Sequence, residues 1–216
     1  MKTVITLSNK KSRLPKEFQH GDNRYPESLV EYFLKRYTQK GDKILDIFAG
    51  LGTTMIVAEK LGRISYGIEI DKKRCDYIKS KIKQKDNLIC GSSLNLSEYR
   101  LPKLDFVITS PPYNRIDEKN YLSKRGGYQE FLHDIQKIYQ KLKPLMKPQA
   151  HLVIEVANLK GEEVTTLAWD IGKVVSKVFH FEGEIIINWR NKGNCMGRGN
   201  YGYGYDHSYC LVFKNK

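Results

Sequence analysis

The chain has 216 residues, 40% of them hydrophobic, which predicts one domain with a packed core and excludes a disordered polymer. Its 37 Lys and Arg against 24 Asp and Glu give a net charge of +13, which favours a polyanionic partner, most commonly nucleic acid. A Lys-rich protein without such a partner is the alternative. No stretch approaches the roughly 20 apolar residues of a membrane helix, and the apolar start of the chain is too short for a secretory signal. We therefore expect a cytoplasmic protein without a membrane partner.

The four cysteines lie far apart in the sequence, at Cys75, Cys90, Cys195 and Cys210. They form no C-x-x-C pair, and no histidine stands beside them at the spacing of a zinc site. We therefore expect reduced thiols, as in a cytosolic protein, and no metal site.

Hydrophobic periodicity divides the chain into a basic N-terminal arm, residues 1–24, and one domain, residues 25–216. Within the domain, helices are predicted at residues 27–37, 53–61, 71–83, 128–145 and 164–178. Strands alternate with these helices at residues 43–48, 64–70, 87–90, 104–109 and 151–157.

Strands and helices that alternate with short links are typical of an α/β fold, here a Rossmann-like one with a mostly parallel sheet covered on both faces. The end of the chain differs, because residues 184–190 and 208–213 form two strands with no helix between them. These strands predict an antiparallel hairpin at the edge of a seven-stranded sheet.

A glycine loop follows the first strand of the domain, in the stretch Asp46-Ile-Phe-Ala-Gly50-Leu-Gly52-Thr53. Gly50 and Gly52 let the backbone approach a ligand, and the helix that begins at Thr53 presents unpaired N–H groups. Glu69 ends the next strand, at about the spacing where an acid binds ribose hydroxyls in nucleotide-binding folds. The combination predicts a nucleotide-type ligand.

The identity of that ligand depends on two positions of the loop. A dinucleotide site has a third glycine where this chain has Met55, and the Asp46 carboxylate would repel a pyrophosphate. A ligand with a cationic amine, such as S-adenosylmethionine, is therefore favoured, with Asp46 as a ligand-binding residue. The alternatives are a structural carboxylate at Asp46 that accepts loop N–H groups, and a solvated strand end at Glu69.

The strand at residues 104–109 leads into Ser110-Pro111-Pro112-Tyr113. Proline fixes φ and has no N–H, so the carbonyls of this segment stay free to accept hydrogen bonds. The Ser110 hydroxyl adds an acceptor, and Tyr113 adds an aromatic face. These groups suit an exocyclic amine on a flat ring. The alternative is an ordinary exit from strand to loop.

The loop Asp46-x-Phe48-x-Gly50-x-Gly52, taken with Ser110-Pro-Pro-Tyr113, resembles the motifs of nucleic-acid amino-methyltransferases, chiefly the N4-cytosine DNA methyltransferases. The resemblance runs from about residue 24 to residue 213. It implies the class I methyltransferase fold, S-adenosylmethionine as the cofactor, and site-specific DNA methylation of the restriction-modification kind. Little room is left for a separate target-recognition domain, so we expect none.

The resemblance also implies roles for individual residues. The cofactor contacts it implies are Arg24, Tyr25, Asp46, Phe48, Gly50, Gly52, Thr53 and Glu69. Family members usually have Gly-Asp after the third strand, where this chain has Gly91-Ser92, so Ser92 is expected to replace the acid that binds the adenine amine. The catalytic residues it implies are Ser110, Pro111, Pro112 and Tyr113.

In this interpretation the Ser110 hydroxyl and the Pro111 carbonyl orient the target amine. Tyr113 stacks on a base that has left the duplex. Serine rather than aspartate at position 110 favours cytosine over adenine. Methylation at cytosine C5 is disfavoured because it needs a thiolate, and no cysteine lies near this segment in the sequence.

Two basic segments are candidates for nucleic-acid contact. The first follows the catalytic strand and begins with Asn114 and Arg115. The second joins the last two strands and mixes cations with aromatic rings, a pattern suited to backbone contact and base stacking. Its predicted contacts are Lys192, Arg198, Tyr201 and Tyr203. For both segments, a solvent-exposed loop without such a role is the alternative.

Three functions remain open from the sequence. The first is a small DNA methyltransferase acting on cytosine N4, with adenine N6 as the other target and a restriction enzyme as a candidate partner. The second is an RNA enzyme, for example on ribosomal RNA, where substrate shape replaces a recognition domain. The third is a methyltransferase-like nucleic-acid-binding module without turnover, which Ser92 in place of the acid supports best.

Overall fold

The computed structural model describes residues 2–20, 22–112, 127–160, 164–190 and 207–216. The helices are α1 (Lys16–Gln19), α2 (Glu27–Tyr37), α3 (Thr53–Lys60), α4 (Lys72–Lys81), α5 (Tyr128–Leu142) and α6 (Leu167–Val175). The strands are β1 (Val4–Ser8), β2 (Lys43–Asp46), β3 (Ile64–Glu69), β4 (Leu88–Cys90), β5 (Leu104–Thr109), β6 (Met146–Val156), β7 (Leu159–Lys160), β8 (Val164–Thr165), β9 (His180–Arg190) and β10 (His207–Lys214). Short 3-10 helices cover Lys85–Asn87, Ser93–Glu98 and Lys143–Leu145.

Among the described residues, eight strands form one sheet in the order β1-β9-β10-β6-β5-β2-β3-β4, and β7 pairs with β8 separately. The sheet is parallel except where β10 pairs with β9 and with β6. The predicted α/β fold, with a mostly parallel sheet and an antiparallel C-terminal hairpin, is confirmed.

The sheet has one strand more than the seven predicted, because β1 pairs in parallel with β9. Ile5 and Leu7 point toward the core that includes α2, whereas Val4 on the other face is 56% exposed. This alternation is the period-two pattern of a half-buried edge strand. The interpretation of residues 1–24 as an arm is therefore wrong for residues 4–8, which belong to the sheet.

Alternate residues of the central strands face two different helical layers. Ile44 and Phe106 pack with α2 and α3 on one face, while Leu45 and Val107 pack with α5 and α6 on the other. Strands buried on both faces are almost continuously apolar. Three buried polar side chains lie at the carboxyl ends of β2, β3 and β5, namely Asp46, Glu69 and Thr109.

Several predicted element boundaries differ from the structure; strand β9, for example, begins at His180 and not at the predicted residue 184. Strand β6 begins at Met146, ahead of the predicted residue 151, because it pairs with the start of β5 across a register shift. The helix predicted from residue 164 begins at Leu167, since the two residues of β8 pair with β7. Of the described helices, none combines the length and the apolarity needed to cross a membrane.

Cys75 and Cys90 form a disulfide, with their Cα atoms 6.1 Å apart, that joins α4 to the end of β4. The expectation of reduced thiols is therefore wrong for these two residues. Cys210 is a free thiol, and burial raises its pKa. Cys195 lies outside the described residues. The sequence did not reveal the disulfide because the pairing depends on the packing of α4 beside β4, not on a short spacing.

Candidate active site

A cavity of about 550 Å³ lies at the carboxyl ends of β2, β3 and β5. Strands β2 and β5 are neighbours in the sheet although β3 and β4 come between them in the chain. The cavity therefore lies where the strand order reverses, which is where open α/β sheets bind ligands. Its volume is in the range of small-molecule sites. Across the described residues, no group of three or more His, Cys, Asp and Glu side chains could hold a metal ion.

The glycine loop forms one wall of this cavity through Phe48, Ala49, Gly50, Leu51 and Thr53. Gly50 has a φ of +58° and Gly52 a φ of +78°, both in the left-handed region that favours glycine. The loop closes as a tight turn, because the Gly52 amide donates to the carbonyl of Ala49 at 2.7 Å.

Gly52 itself does not line the cavity. A Cβ at this position would lie 2.9 Å from Cγ1 of Ile78 in α4. The cofactor contact expected for Gly52 is therefore not supported. Glycine is required at this position by the positive φ of the backbone and by the close packing of the loop on α4.

Thr53 is the first residue of α3 and lines the cavity. Among the described residues its buried hydroxyl oxygen has no hydrogen-bond partner. The first N–H groups of a helix also have no partner within the helix, and they favour negative charge. This corner of the cavity therefore suits a carboxylate.

Glu69 ends β3 at the opposite side of the loop and is 6% exposed. Its Oε2 accepts the amide of Gly50 at 2.7 Å, and its Oε1 accepts the amide of Asp71 at 2.9 Å. Burial raises the pKa of Glu69, while the hydrogen bond from the Asp71 amide opposes that shift. Each carboxylate oxygen keeps a further acceptor site, so this residue, which lines the cavity, suits a ribose diol.

Ile70 follows Glu69 and was missed by the sequence analysis. It lines the cavity and is 55% exposed, so its apolar side chain is accessible to a ligand there. The signal available in the sequence was an isoleucine directly after a strand-end acid. With Phe48, it supplies apolar surface for a flat ring.

Asp46 does not line the cavity, contrary to the expected contact with the cofactor. It is 1% exposed. Its Oδ1 accepts from the hydroxyl of Thr109 at 2.6 Å and from the amide of Phe48 at 3.0 Å. Its Oδ2 accepts from the hydroxyls of Thr54 at 2.7 Å and Tyr25 at 2.8 Å.

These four groups surround the Asp46 carboxylate within hydrogen-bond distance, and the hydroxyls of Tyr25 and Thr54 also contact each other at 2.5 Å. Burial raises its pKa, and the hydrogen bond from Thr109 is the strongest of the effects that lower it. The structural interpretation of Asp46 therefore replaces the ligand-binding one. Thr54 and Thr109 were missed, because nothing in the sequence says which residues donate to a buried carboxylate.

Arg24 and Tyr25 line the cavity from the N-terminal side, as expected. The Arg24 guanidinium is already engaged: its Nε donates to Asp22 at 3.0 Å, and its Nη2 donates to the carbonyl of Ser12 at 2.5 Å. Arg24 thus holds the segment before α2 together as a wall of the cavity. Tyr25 contributes its ring to that wall while its hydroxyl binds Asp46.

Ser92 lines the cavity after β4, where the family usually has an acid. Its hydroxyl accepts from the amide of Leu94 at 3.3 Å and caps the 3-10 helix that follows. Tyr99 donates its hydroxyl to the carbonyl of Ser92 at 3.0 Å. A neutral hydroxyl that already caps a helix is a weaker acceptor for an adenine amine than a carboxylate.

Ser110, Pro111 and Pro112 line the same cavity as the glycine loop and Glu69. Ser110 is partly exposed, and Pro111 is buried at the exit of β5. The two motifs that the sequence places 60 residues apart, near Gly50 and at Ser110, thus share one site. Six predicted site residues lie outside the described residues, together with Tyr113: Asn114, Arg115, Lys192, Arg198, Tyr201 and Tyr203.

The cavity therefore offers groups that fit S-adenosylmethionine. Glu69 presents acceptors for a ribose, Ile70 presents an apolar surface for a flat ring, and Thr53 with the start of α3 presents donors for a carboxylate. The end of β5 contributes a further hydroxyl and proline carbonyls beside these groups.

Comparison with known proteins agrees with this arrangement. The family model described as DNA methylase, of the N6 and N4 type, matches residues 3–80 and 104–216. The Type II methyltransferase M.MjaII of Methanocaldococcus jannaschii is 30% identical over 118 residues, which are 55% of this chain and 19% of that protein. The orphan methyltransferase M.BamHII of Bacillus amyloliquefaciens is 34% identical over 101 residues, 46% of this chain and 37% of that protein. The chain thus covers well under half the length of these relatives.

Solved structures share the fold at low sequence identity. TrmN from Thermus thermophilus has a TM-score of 0.60 and 15% identity, with 87% of this chain and 48% of that chain covered. A methyltransferase from Pyrococcus furiosus has a TM-score of 0.59 and 16% identity, with 91% and 86% covered. The predicted resemblance is confirmed: the chain belongs to the N6/N4 DNA methylase family and has the class I methyltransferase fold, with S-adenosylmethionine as its cofactor.

Proposed function

We propose that this chain transfers a methyl group from S-adenosylmethionine to an exocyclic amine of a base in DNA, and that the amine is N4 of cytosine. One observation carries the proposal. Ser110 and Pro111, at the end of β5, line the same cavity as the glycine loop and Glu69. The amine and the methyl donor can therefore meet across the gap between β2 and β5.

The target amine is a poor nucleophile, so methyl transfer requires groups that activate it. The lone pair of a cytosine amine is delocalised into the ring, so the nitrogen attacks only when its N–H bonds are turned out of the ring plane. The Ser110 hydroxyl and the Pro111 carbonyl are two acceptors that can hold those N–H bonds. Acceptors fixed by a rigid segment need no reorganisation during the reaction.

S-adenosylmethionine supplies an electrophilic methyl carbon bound to a positively charged sulfur. The amine nitrogen forms a bond to that carbon as the carbon–sulfur bond breaks and leaves a neutral thioether, and one N–H proton is then released to solvent by way of the Ser110 hydroxyl. No covalent bond between the protein and the base is needed. The buried proline and the apolar side chains of Phe48 and Leu94 in the lining limit the access of water.

The choice of DNA is supported by the family and by charge. The family model describes DNA methylases, and the net charge of +13 favours a polyanion. The choice of cytosine is supported by Ser110, since aspartate at this position is commoner among adenine enzymes of the resembling family. The stacking role of Tyr113 and the contacts of the two basic segments remain predictions.

Methyl transfer with isotopically labelled S-adenosylmethionine tests the proposal directly. The purified chain is incubated with duplex DNA, total RNA and ribosomal subunits, and the labelled polymer is digested to nucleosides for mass spectrometry. We expect label in DNA as N4-methylcytosine. N6-methyladenine would overturn the choice of base, label confined to RNA would overturn the choice of substrate, and no label with bound cofactor would favour a non-catalytic module.

A further inference from the structure

We propose that Thr109 is a positioning residue for methyl transfer, acting through Asp46 to hold Ser110 at a fixed place relative to the glycine loop. This inference rests on the proposed function and adds to it a residue that the motifs do not include. Thr109 is the last residue of β5, directly before Ser110, and its side chain is fully buried.

The backbone alone does not join the two halves of the site. Strands β2 and β5 pair at Ile44 with Phe106 and at Leu45 with Val107, and the pairing ends there. Beyond Leu45 the strands separate around the cavity, so the residues that carry the chemistry lie past the last backbone hydrogen bonds between the two strands. The Thr109 hydroxyl spans this gap and donates to Oδ1 of Asp46 at 2.6 Å.

The same carboxylate fixes the other side of the cavity. Oδ1 of Asp46 also accepts the amide of Phe48, inside the glycine loop, at 3.0 Å. Oδ2 accepts the hydroxyls of Thr54 in α3 and Tyr25 in the N-terminal wall. One buried carboxylate therefore ties the strand that leads into Ser110 to three segments around the cavity, each of which contributes residues to its lining.

Geometry makes this link relevant to the reaction and not only to folding. Transfer needs the amine nitrogen and the methyl carbon within about 3–3.5 Å and in line, and an error near 1 Å can cost about 100-fold in rate. The methyl donor is held by the β2 and β3 side, whereas the amine is held by the β5 side. The distance between the amine nitrogen and the methyl carbon therefore depends on the contacts that join β5 to β2 beyond Leu45. The hydrogen bond from Thr109 to Asp46 is such a contact.

Removal of the hydroxyl alone tests the inference. Thr109→Val keeps the shape of the side chain and deletes the donor, and Thr109→Ser keeps the donor. We expect Thr109→Val to lower kcat about 10- to 100-fold, with the Kd for S-adenosylmethionine and the KM for DNA changed less than about threefold. Thr109→Ser should recover most of kcat. Should Thr109→Val not fold, Thr109→Ala replaces it, with the same expected fall in kcat and the same small changes in Kd and KM.

Thr54→Val is the matched comparison, because Thr54 is equally buried and donates to the same carboxylate, but from α3 and not from β5. It should affect thermal stability about as much as Thr109→Val but lower kcat at saturating cofactor less, because its hydroxyl does not join β5 to Asp46. Thr6→Val, on the exposed face of β1, controls for the substitution itself.

The outcomes separate this inference from the proposed function. A wild-type chain that methylates DNA together with an equally active Thr109→Val variant overturns the inference alone. Equal losses of kcat in Thr109→Val and Thr54→Val, or a parallel loss of cofactor binding, also overturn it, because the role would then be structural. A wild-type chain that binds S-adenosylmethionine but methylates no nucleic acid overturns the proposed function and the inference with it.

Discussion

The Glu69 carboxylate accepts the amide of Gly50 at 2.7 Å, so the acid at the end of β3 also holds the glycine loop that follows β2. A group expected only to bind ribose therefore has a second role in shaping the cavity. The two roles are compatible, because each carboxylate oxygen accepts one amide and retains capacity for a second donor.

Replacement of this acid should weaken cofactor binding. Glu69→Gln keeps the size of the side chain but removes the charge and turns one acceptor into a donor, which leaves the amide of either Gly50 or Asp71 unpaired. Hydrogen bonds to charged groups contribute about 1.5–3 kcal/mol, so we expect the Kd for S-adenosylmethionine to rise at least about tenfold. Titration calorimetry measures this, and Glu98→Gln on the exposed surface is the control. An unchanged Kd would remove Glu69 from the cofactor site.

Cofactor binding should also weaken as the pH falls. Burial raises the pKa of Glu69 above its usual value of 4.5, and ribose hydroxyls donate to the ionised form. The Kd should therefore begin to rise at a higher pH than for an exposed glutamate, and the Glu69→Gln variant should lose this dependence. The contribution of Glu69 to folding stability changes in the opposite direction: it rises as the pH falls through the pKa of the folded state. The reason is that a raised pKa makes the folded chain bind the proton more readily than the unfolded chain does. A Kd that is flat down to about pH 4 would contradict the prediction.

Ser110→Ala should abolish most methyl transfer while it leaves cofactor binding intact. The change removes one of the two acceptors for the amine, and loss of a single preorganised hydrogen-bonding group commonly costs about 100-fold or more in kcat. The measurements are kcat by labelled methyl transfer and the Kd for S-adenosylmethionine by calorimetry. Ser176→Ala, an exposed serine at the end of α6, is the control. An equal loss of cofactor affinity would contradict the assignment of Ser110 to the amine side.

Gly52→Ala should destabilise the fold more than Gly41→Ala. Both glycines have positive φ, +78° and +86°, which costs about 1–2 kcal/mol for alanine. At Gly52 the new Cβ also meets Ile78 at 2.9 Å, whereas nothing lies within 4 Å at Gly41. Overpacking adds about 1–3 kcal/mol, so urea unfolding should separate the two variants by at least about 1 kcal/mol. Equal losses of stability would show that the loop moves away from α4 at little cost.

Reduction of the Cys75–Cys90 disulfide should lower stability. The bond closes a loop with a sequence separation of 15, for which the chain-entropy model gives about 3 kcal/mol. Urea unfolding with and without a dithiol measures the difference, and alkylation with mass spectrometry counts the thiols. The variant Cys75→Ala/Cys90→Ala should show no effect of the reductant. Two alkylated thiols at these positions in the untreated chain would contradict the pairing.

Much of the fold could be predicted from periodicity. The central strands are rich in apolar residues and end in polar residues such as Asp46 and Glu69, so their positions follow from local pattern, and their alternation with helices predicts a mostly parallel sheet. The edge strand β1 was missed, because five residues with one modest alternation gain their structure from pairing with β9, which is distant in sequence. The Cys75–Cys90 bond was missed because it depends on the packing of α4 beside β4.

The amino-acid sequence by itself determined the family, the cofactor and the residues around Gly50, Glu69 and Ser110, because motifs with backbone and chemical requirements are written in consecutive residues. Only the tertiary structure decided what Asp46 does. A carboxylate at a strand end has the same local sequence whether it faces a ligand or four buried donors. The choice depends on Tyr25, Thr54 and Thr109, which are brought together by packing and are separated by up to 84 positions in the chain.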